Sequence, residues 1–363
     1  MTLYPSISMA QGLKFNCCDR FPAVHVACQI AVKLLVLLAV CPSRSSALRL
    51  GGAAASEPRL ATLVLLPENK YGARCLDGSP PGYYFRAAPG ERVTSWHIHF
   101  PGGGWCATKG QCGWRSGRLL GGTTRWPPTN NASWAQGRFG GILSSNEAMN
   151  PFFAGWHLAM PVYCDGGGYA GAAGRVAVGE GRFVYMDGSK IVSAIMDDLL
   201  ENRAIARATT VLVSGTSAGG LAVMRLCDSL AALLPHATVK CLLDGSFFPD
   251  APDRTGRMHF QSLAQHVSAL HQFSPQSRCD QVTSVSERWR CFFPQYALPF
   301  ATSPFFIVNP TFDRVSLLIV WLIAHSTVTS RLWSAVKVDR TPMNVAVAQW
   351  VTWGSTDPPM LYA

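Results

Sequence analysis

Short runs of aliphatic and β-branched residues recur along the chain, each bounded by glycine, proline or a polar cluster. Residues 61–66, 96–100, 157–163, 209–213, 239–243 and 304–309 read as strands, and 83–85 as an edge strand that follows a turn. Between them the period lengthens. Residues 191–202 and about 259–271 pattern as helices, and 221–226 opens another. Strands alternating with helices predict an α/β fold with a mostly parallel central sheet, helices on both faces and functional loops at the carboxyl edge. Residues 107–150, rich in Gly, Ser, Asn, Arg and Trp, predict long loops and short helices over that edge.

The first 47 residues change the picture. Lys14, Arg20 and Lys33 precede the apolar stretch 34–40, and Ser45-Ser46-Ala47 supplies the small residues of a cleavage site. The expected organisation is a signal peptide over 1–47, a linker over 48–59 and a single domain over 60–363. The apolar stretch is too short for a stable membrane span. Export agrees with the cysteines: beyond residue 47 there are Cys75, Cys106, Cys112, Cys164, Cys227, Cys241, Cys279 and Cys291, an even set that predicts disulfides. Cys106/Cys112 and Cys279/Cys291 are near enough for local loops. No C-x-x-C pair occurs, which disfavours zinc, and no metal or organic cofactor is expected. The net charge is +10, scattered without a run of five basic residues. That argues against a nucleic-acid patch and permits attraction to an acidic polymer.

Two stretches carry candidate chemistry. Residues 209–213 run into Gly215-Thr216-Ser217-Ala218-Gly219, a G-x-S-x-G pattern between a strand and a helix start. In that context the serine is a nucleophile on a sharp turn, and the amide after it faces a developing oxyanion. Pro101-Gly102-Gly103-Gly104-Trp105 follows the strand 96–100, where backbone amides can supply the other half of such a hole. His97 and His99 on that strand read as packed or hydrogen-bonded residues. Asp165 and Asp244, both at strand ends, suit either binding of substrate hydroxyls or capping of loops.

With these residues together, the chain resembles the pectin acetylesterase family, which includes the Notum-type carboxylesterases. The likeness lies in Cys75-Leu76-Asp77-Gly78-Ser79-Pro80, Gly102-Gly103-Gly104-Trp105-Cys106, Tyr163-Cys164-Asp165-Gly166, Gly215-Thr216-Ser217-Ala218-Gly219-Gly220, Asp244-Gly245-Ser246-Phe247-Phe248, Cys291-Phe292-Phe293-Pro294-Gln295-Tyr296 and Asn309-Pro310-Thr311-Phe312-Asp313. It implies an α/β-hydrolase-like esterase with a Ser-Asp-His triad. Ser217 would be the nucleophile and Asp313 the acid, with the amides of Gly104, Trp105 and Ala218 as the oxyanion hole. Trp105, Asp165, Phe247 and Phe248 would face the substrate pocket.

The family's Cys-x-x-His-Cys-Gln-like loop has no counterpart, and residues 315–340 depart from the family pattern. His325, the one histidine after Asp313, is therefore the candidate base. Residues 341–350 are similar to the family's closing helix. The expected substrate is an acetylated cell-wall polysaccharide, the expected location extracellular. Two readings stand beside it: a Notum-like deacylase of lipid-modified protein, and an inactive glycan-binding homologue.

Overall fold

The computed structural model describes residues 59–90, 92–131, 138–253, 256–310 and, as backbone alone, 345–350. All belong to the unit Glu57–Ala363. Eight strands form one sheet: β1 (Thr62–Leu65), β2 (Gly82–Arg86), β3 (Ser95–Phe100), β4 (His157–Pro161), β7 (Thr210–Thr216), β8 (Thr238–Asp244), β9 (Phe305–Pro310) and β10 (Val345–Trp350). The spatial order is β1-β2-β4-β3-β7-β8-β9-β10. Pairing is antiparallel at β1/β2 and β2/β4 and parallel from β4 through β10. The mostly parallel α/β sheet is thus present, close to its predicted strand boundaries.

Three details depart from the sequence reading. The predicted edge strand β2 is an interior one; the edge is β1, which leaves Leu65 52% exposed. Residues 345–350, expected in a closing helix, instead form β10, parallel to β9 with Val345 opposite Phe305. Alternating Val345, Ala346 and Val347 suit an extended backbone, because branching at Cβ narrows the helical rotamers. Finally, β5 (Gly174–Gly179) and β6 (Arg182–Met186) form a separate antiparallel hairpin that the sequence reading left out. Its turn was legible: Glu180 and Gly181 both adopt positive φ, at 50° and 69°, as a two-residue hairpin turn requires.

The sheet centre positions the site. β7 is buried from Val211 to Gly215, as an interior parallel strand covered on both faces must be. Register sets Phe100 of β3 beside Gly215, Thr216 beside Asp244 of β8, and Asp244 beside Val308 of β9. The carboxyl ends of β3, β7, β8 and β9 therefore share one edge of the sheet. The longer helices are α1 (Lys109–Ser116), α2 (Gly188–Asn202), α3 (Ala218–Leu233) and α4 (His259–His271). Arg225 of α3 forms a buried ion pair with Asp280 at 2.9 Å, and Asp280 also completes a capping box with Ser277. Four disulfides use the eight cysteines: Cys75–Cys164, Cys106–Cys112, Cys227–Cys241 and Cys279–Cys291. Both local pairs expected from spacing are among them. Among the described residues no helix is long and apolar enough to cross a membrane.

Candidate active site

Ser217 stands between the last residue of β7 and the first of α3 with φ 55° and ψ −123°. L-residues rarely adopt that conformation, and it persists only where the surroundings over-determine it. They do so here. The Ser217 amide donates to the Asp244 carbonyl at 2.9 Å, and its own carbonyl accepts from the Gly220 amide at 3.0 Å. A methyl group on Gly219 would overlap the Phe100 carbonyl, so only glycine lets α3 approach β3 this closely. The side chain is half-buried, and its hydroxyl bonds to no other described residue.

The glycine loop after β3 faces this turn. Gly102 lies so close that a methyl on it would come 2.8 Å from the Ser217 Cβ. The loop carbonyls are drawn away into the protein. Tyr169 donates its hydroxyl to the Pro101 carbonyl at 3.3 Å, Arg115 Nη1 donates to Gly103 at 2.9 Å, and Tyr163 donates to Gly104 at 2.6 Å. Burial raises the Tyr163 pKa, which keeps its phenol a donor. With the carbonyls held, Gly103 and Gly104 take φ of 150° and 64°. The amides of Gly103, Gly104 and Trp105 pair with no acceptor among the described residues. Ala218 opens α3, where the first N–H groups lack intrahelical partners and the dipole favours negative charge. A half-buried hydroxyl thus sits beside free amides that can donate to an oxyanion.

The expected pocket residues divide. The Trp105 ring packs on Phe248 and Phe292 at centroid distances of 5.8 and 4.9 Å. Phe247 is half-buried, its amide donating to Asn309 Oδ1 at 3.1 Å, whereas Phe248 is 1% exposed and also packs on Phe260. Asp165 is wholly buried. Its Oδ2 accepts from the amides of Gly167 and Tyr169 at 3.0 and 3.1 Å, and so orders that loop. Burial pushes its pKa up to about 6, as it does for the half-buried Asp244 beside Ser217.

His97 and His99 are packed strand residues, as expected. The Ser214 hydroxyl sits between them, 2.6 Å from His97 Nε2 and 2.8 Å from His99 Nδ1. The one hydroxyl hydrogen goes to one ring and the other ring donates back. Burial lowers both pKa values, that of His99 to about 4. Asp313 and His325 lie outside the described residues. No described histidine bonds to Ser217: His157 is held by Val93, His259 by Asp253, His266 by Ser262 and His271 by Cys106. Arg115 and Tyr169, which hold the loop carbonyls, were not singled out from sequence. Their roles depend on distant backbone atoms, for which a linear pattern carries no signal.

The profile of the family described as Pectinacetylesterase matches residues 54–354. The chain is 36% identical to pectin acetylesterase 7 of Arabidopsis thaliana over 243 residues, 67% of this chain and 59% of that protein. It is 34% identical to pectin acetylesterase 11 of the same plant over 281 residues, 77% of this chain and 69% of that protein. The palmitoleoyl-protein carboxylesterase notum1' of Xenopus laevis is 29% identical over 258 residues, 67% of this chain and 50% of its own length. The chain therefore spans between half and about two thirds of the length of these relatives.

Proposed function

The chain belongs to the pectinacetylesterase family, and from that premise we propose that it is an exported carboxylic-ester hydrolase that removes O-acetyl groups from pectin or a similar cell-wall polysaccharide. The observation that carries this reading is the strained Ser217 turn set against a glycine loop whose carbonyls are tied back and whose amides are left for an anion. Ser217 Oγ attacks the acetyl carbonyl while a histidine takes its proton. The amides of Gly104, Trp105 and Ala218 hold the oxyanion. Collapse expels the sugar hydroxyl, which takes its proton from the histidine, and water then releases acetate by the same steps.

Asp313 is assigned as the acid that orients the histidine. In sequence it comes after β9, a strand two places from β7 in the sheet, and in elbow hydrolases the acid follows the serine in the chain. His325 is assigned as the base because it alone follows Asp313. Disulfides across the described fold agree with export.

The test is acetate release from acetylated pectin and hydrolysis of p-nitrophenyl acetate by the chain beside Ser217→Ala and His325→Ala. Both variants are expected to fall at least about 1,000-fold in kcat. Turnover by the unaltered chain no higher than that of Ser217→Ala would leave the inactive glycan-binding reading in its place.

A further inference from the structure

The hairpin of β5 and β6 carries a surface that ester cleavage at Ser217 does not use. Its two faces differ. Val176, Val178, Val184 and Met186 belong to one apolar cluster with Leu76, Cys106 and Cys112. Alternation along each strand puts Arg175, Ala177, Phe183 and Tyr185 on the other face, where Arg175 pairs with Tyr185 and Ala177 with Phe183. Arg175 is exposed, and Phe183 is 40% exposed. The Arg175 guanidinium lies over the Phe183 ring, 3.5 Å from its centroid, and that of Arg74 lies over the Tyr185 ring at 4.6 Å. Tyr185 is seated on bare backbone, since a methyl on Gly78 would come 3.2 Å from its ring. Cations and rings thus alternate across the face, from Arg74 through Tyr185 and Arg175 to Phe183.

We infer that this face binds the uronate units of an acidic polysaccharide. The Arg175 guanidinium takes a carboxylate, and the rings of Phe183 and Tyr185 take the apolar C–H faces of the sugars. For the identity of the polymer the inference rests on the pectin reading above; the surface itself does not depend on Ser217 being a nucleophile.

Charge and shape carry the inference together. Arg74 is shared with Glu68, and Arg182 at the hairpin turn lies 4.0 Å from Glu180. Arg175 meets no acidic partner among the described residues. A guanidinium laid flat on a ring keeps its N–H edges open, and its fork matches a planar carboxylate. Stacking on Phe183 also fixes the fork before the ligand arrives, which lowers the ordering cost of binding. A neutral sugar would use the rings and leave that fork idle. A nucleic acid would call for a row of unpaired cations along its phosphates, whereas Arg74 and Arg182 already have acids.

The surface is also placed to serve the site. Val178 of β5 packs on Gly113 of α1, where a methyl would meet it at 3.3 Å. From the same helix Arg115 holds the Gly103 carbonyl. One helix therefore separates the face from the glycine loop. A polymer held on the hairpin keeps its remaining esters at a raised local concentration near that loop.

The test uses the full chain as Ser217→Ala, so that no ester is cut, run in native gels cast with polygalacturonate. Retardation is expected there, and much less with fully methyl-esterified polygalacturonate or with dextran. Phe183→Ala and Arg175→Gln, each added to that background, should weaken binding at least about tenfold with little change in melting temperature. Arg175→Lys keeps the charge without the fork and should restore only part of the loss. Arg207→Gln removes the same charge from an exposed arginine elsewhere and should bind as the background does. Equal losses in Arg175→Gln and Arg207→Gln would overturn the inference in favour of unspecific attraction to the net charge. So would full binding by Phe183→Ala, or equal retardation by the methyl-esterified polymer. Absence of any retardation by polygalacturonate would overturn it too, and would leave the role of Ser217 to its own test.

Discussion

Ser214 illustrates how much a single hydroxyl can hold at the residue scale. It satisfies two buried imidazoles at once, and Ser214→Ala would leave both ring nitrogens unpaired in the sheet interior. The expected cost is about 2–4 kcal/mol, read from urea unfolding. Asp165 offers a pH test. Its carboxyl titrates near 3.8 when unfolded and near 6 in the fold, so the folded chain binds the extra proton between those values. The stability from burying it neutral is full below pH 3.8 and lost as pH rises through about 6. Buried His99 and His271 run the opposite way. Their folded values near 4 lie below 6.5, so their contribution is full above pH 6.5 and lost as pH falls through 4. Asp165→Asn keeps an acceptor for the Gly167 and Tyr169 amides and removes the titration. Relative to the parent, it should gain up to about 3 kcal/mol of unfolding free energy between pH 4 and pH 7. A constant difference across that range would mean that Asp165 is already ionised in the fold.

Among elements, the glycine loop and the turn it faces make separable predictions. Gly102→Ala pushes a methyl toward the Ser217 Cβ and should misplace the amides. A fall in kcat of about 100-fold or more is expected, with about 1–3 kcal/mol of stability lost because the same methyl meets the Thr216 carbonyl oxygen at 2.4 Å. Gly219→Ala drives a methyl into the Phe100 carbonyl beneath α3, and it should cost about 1–3 kcal/mol of stability as well as activity. Element by element, legibility followed locality. Strand β7, α2 and α4 carry their own apolar period, so the sequence reading places them within a few residues. Ser217 and the triple glycine were legible because a tight turn and a close backbone approach restrict residue type. The interior position of β2 was not, since it depends on β1 pairing outside it. For 345–350, the likeness to a family helix misleads, and the alternating valines suit the strand observed. The Arg115 and Tyr163 bonds that turn the loop carbonyls could not be read, because each joins atoms distant in sequence.

For the molecule as a whole, the disulfides tie the sheet at unequal chain distances. Cys75–Cys164 closes 89 residues, whereas Cys227–Cys241 closes 14. If constraint of the unfolded chain dominates, replacing the first pair with serines should cost about 4–5 kcal/mol and the second about 3 kcal/mol, compared by thermal unfolding. The net charge of +10 acts at the same scale. Added salt should raise KM for acetylated polygalacturonate and leave KM for neutral p-nitrophenyl acetate unchanged, since screening weakens long-range attraction only. Everything proposed for function rests on Ser217 being a nucleophile in a working oxyanion hole. Reaction of the chain with a fluorophosphonate, followed by intact and peptide mass, tests this most directly. One phosphonyl group per chain is expected on Ser217, none on Ser217→Ala, and slowed labelling in Gly102→Ala. A folded chain that stays unlabelled, or carries the label on another residue, would contradict it.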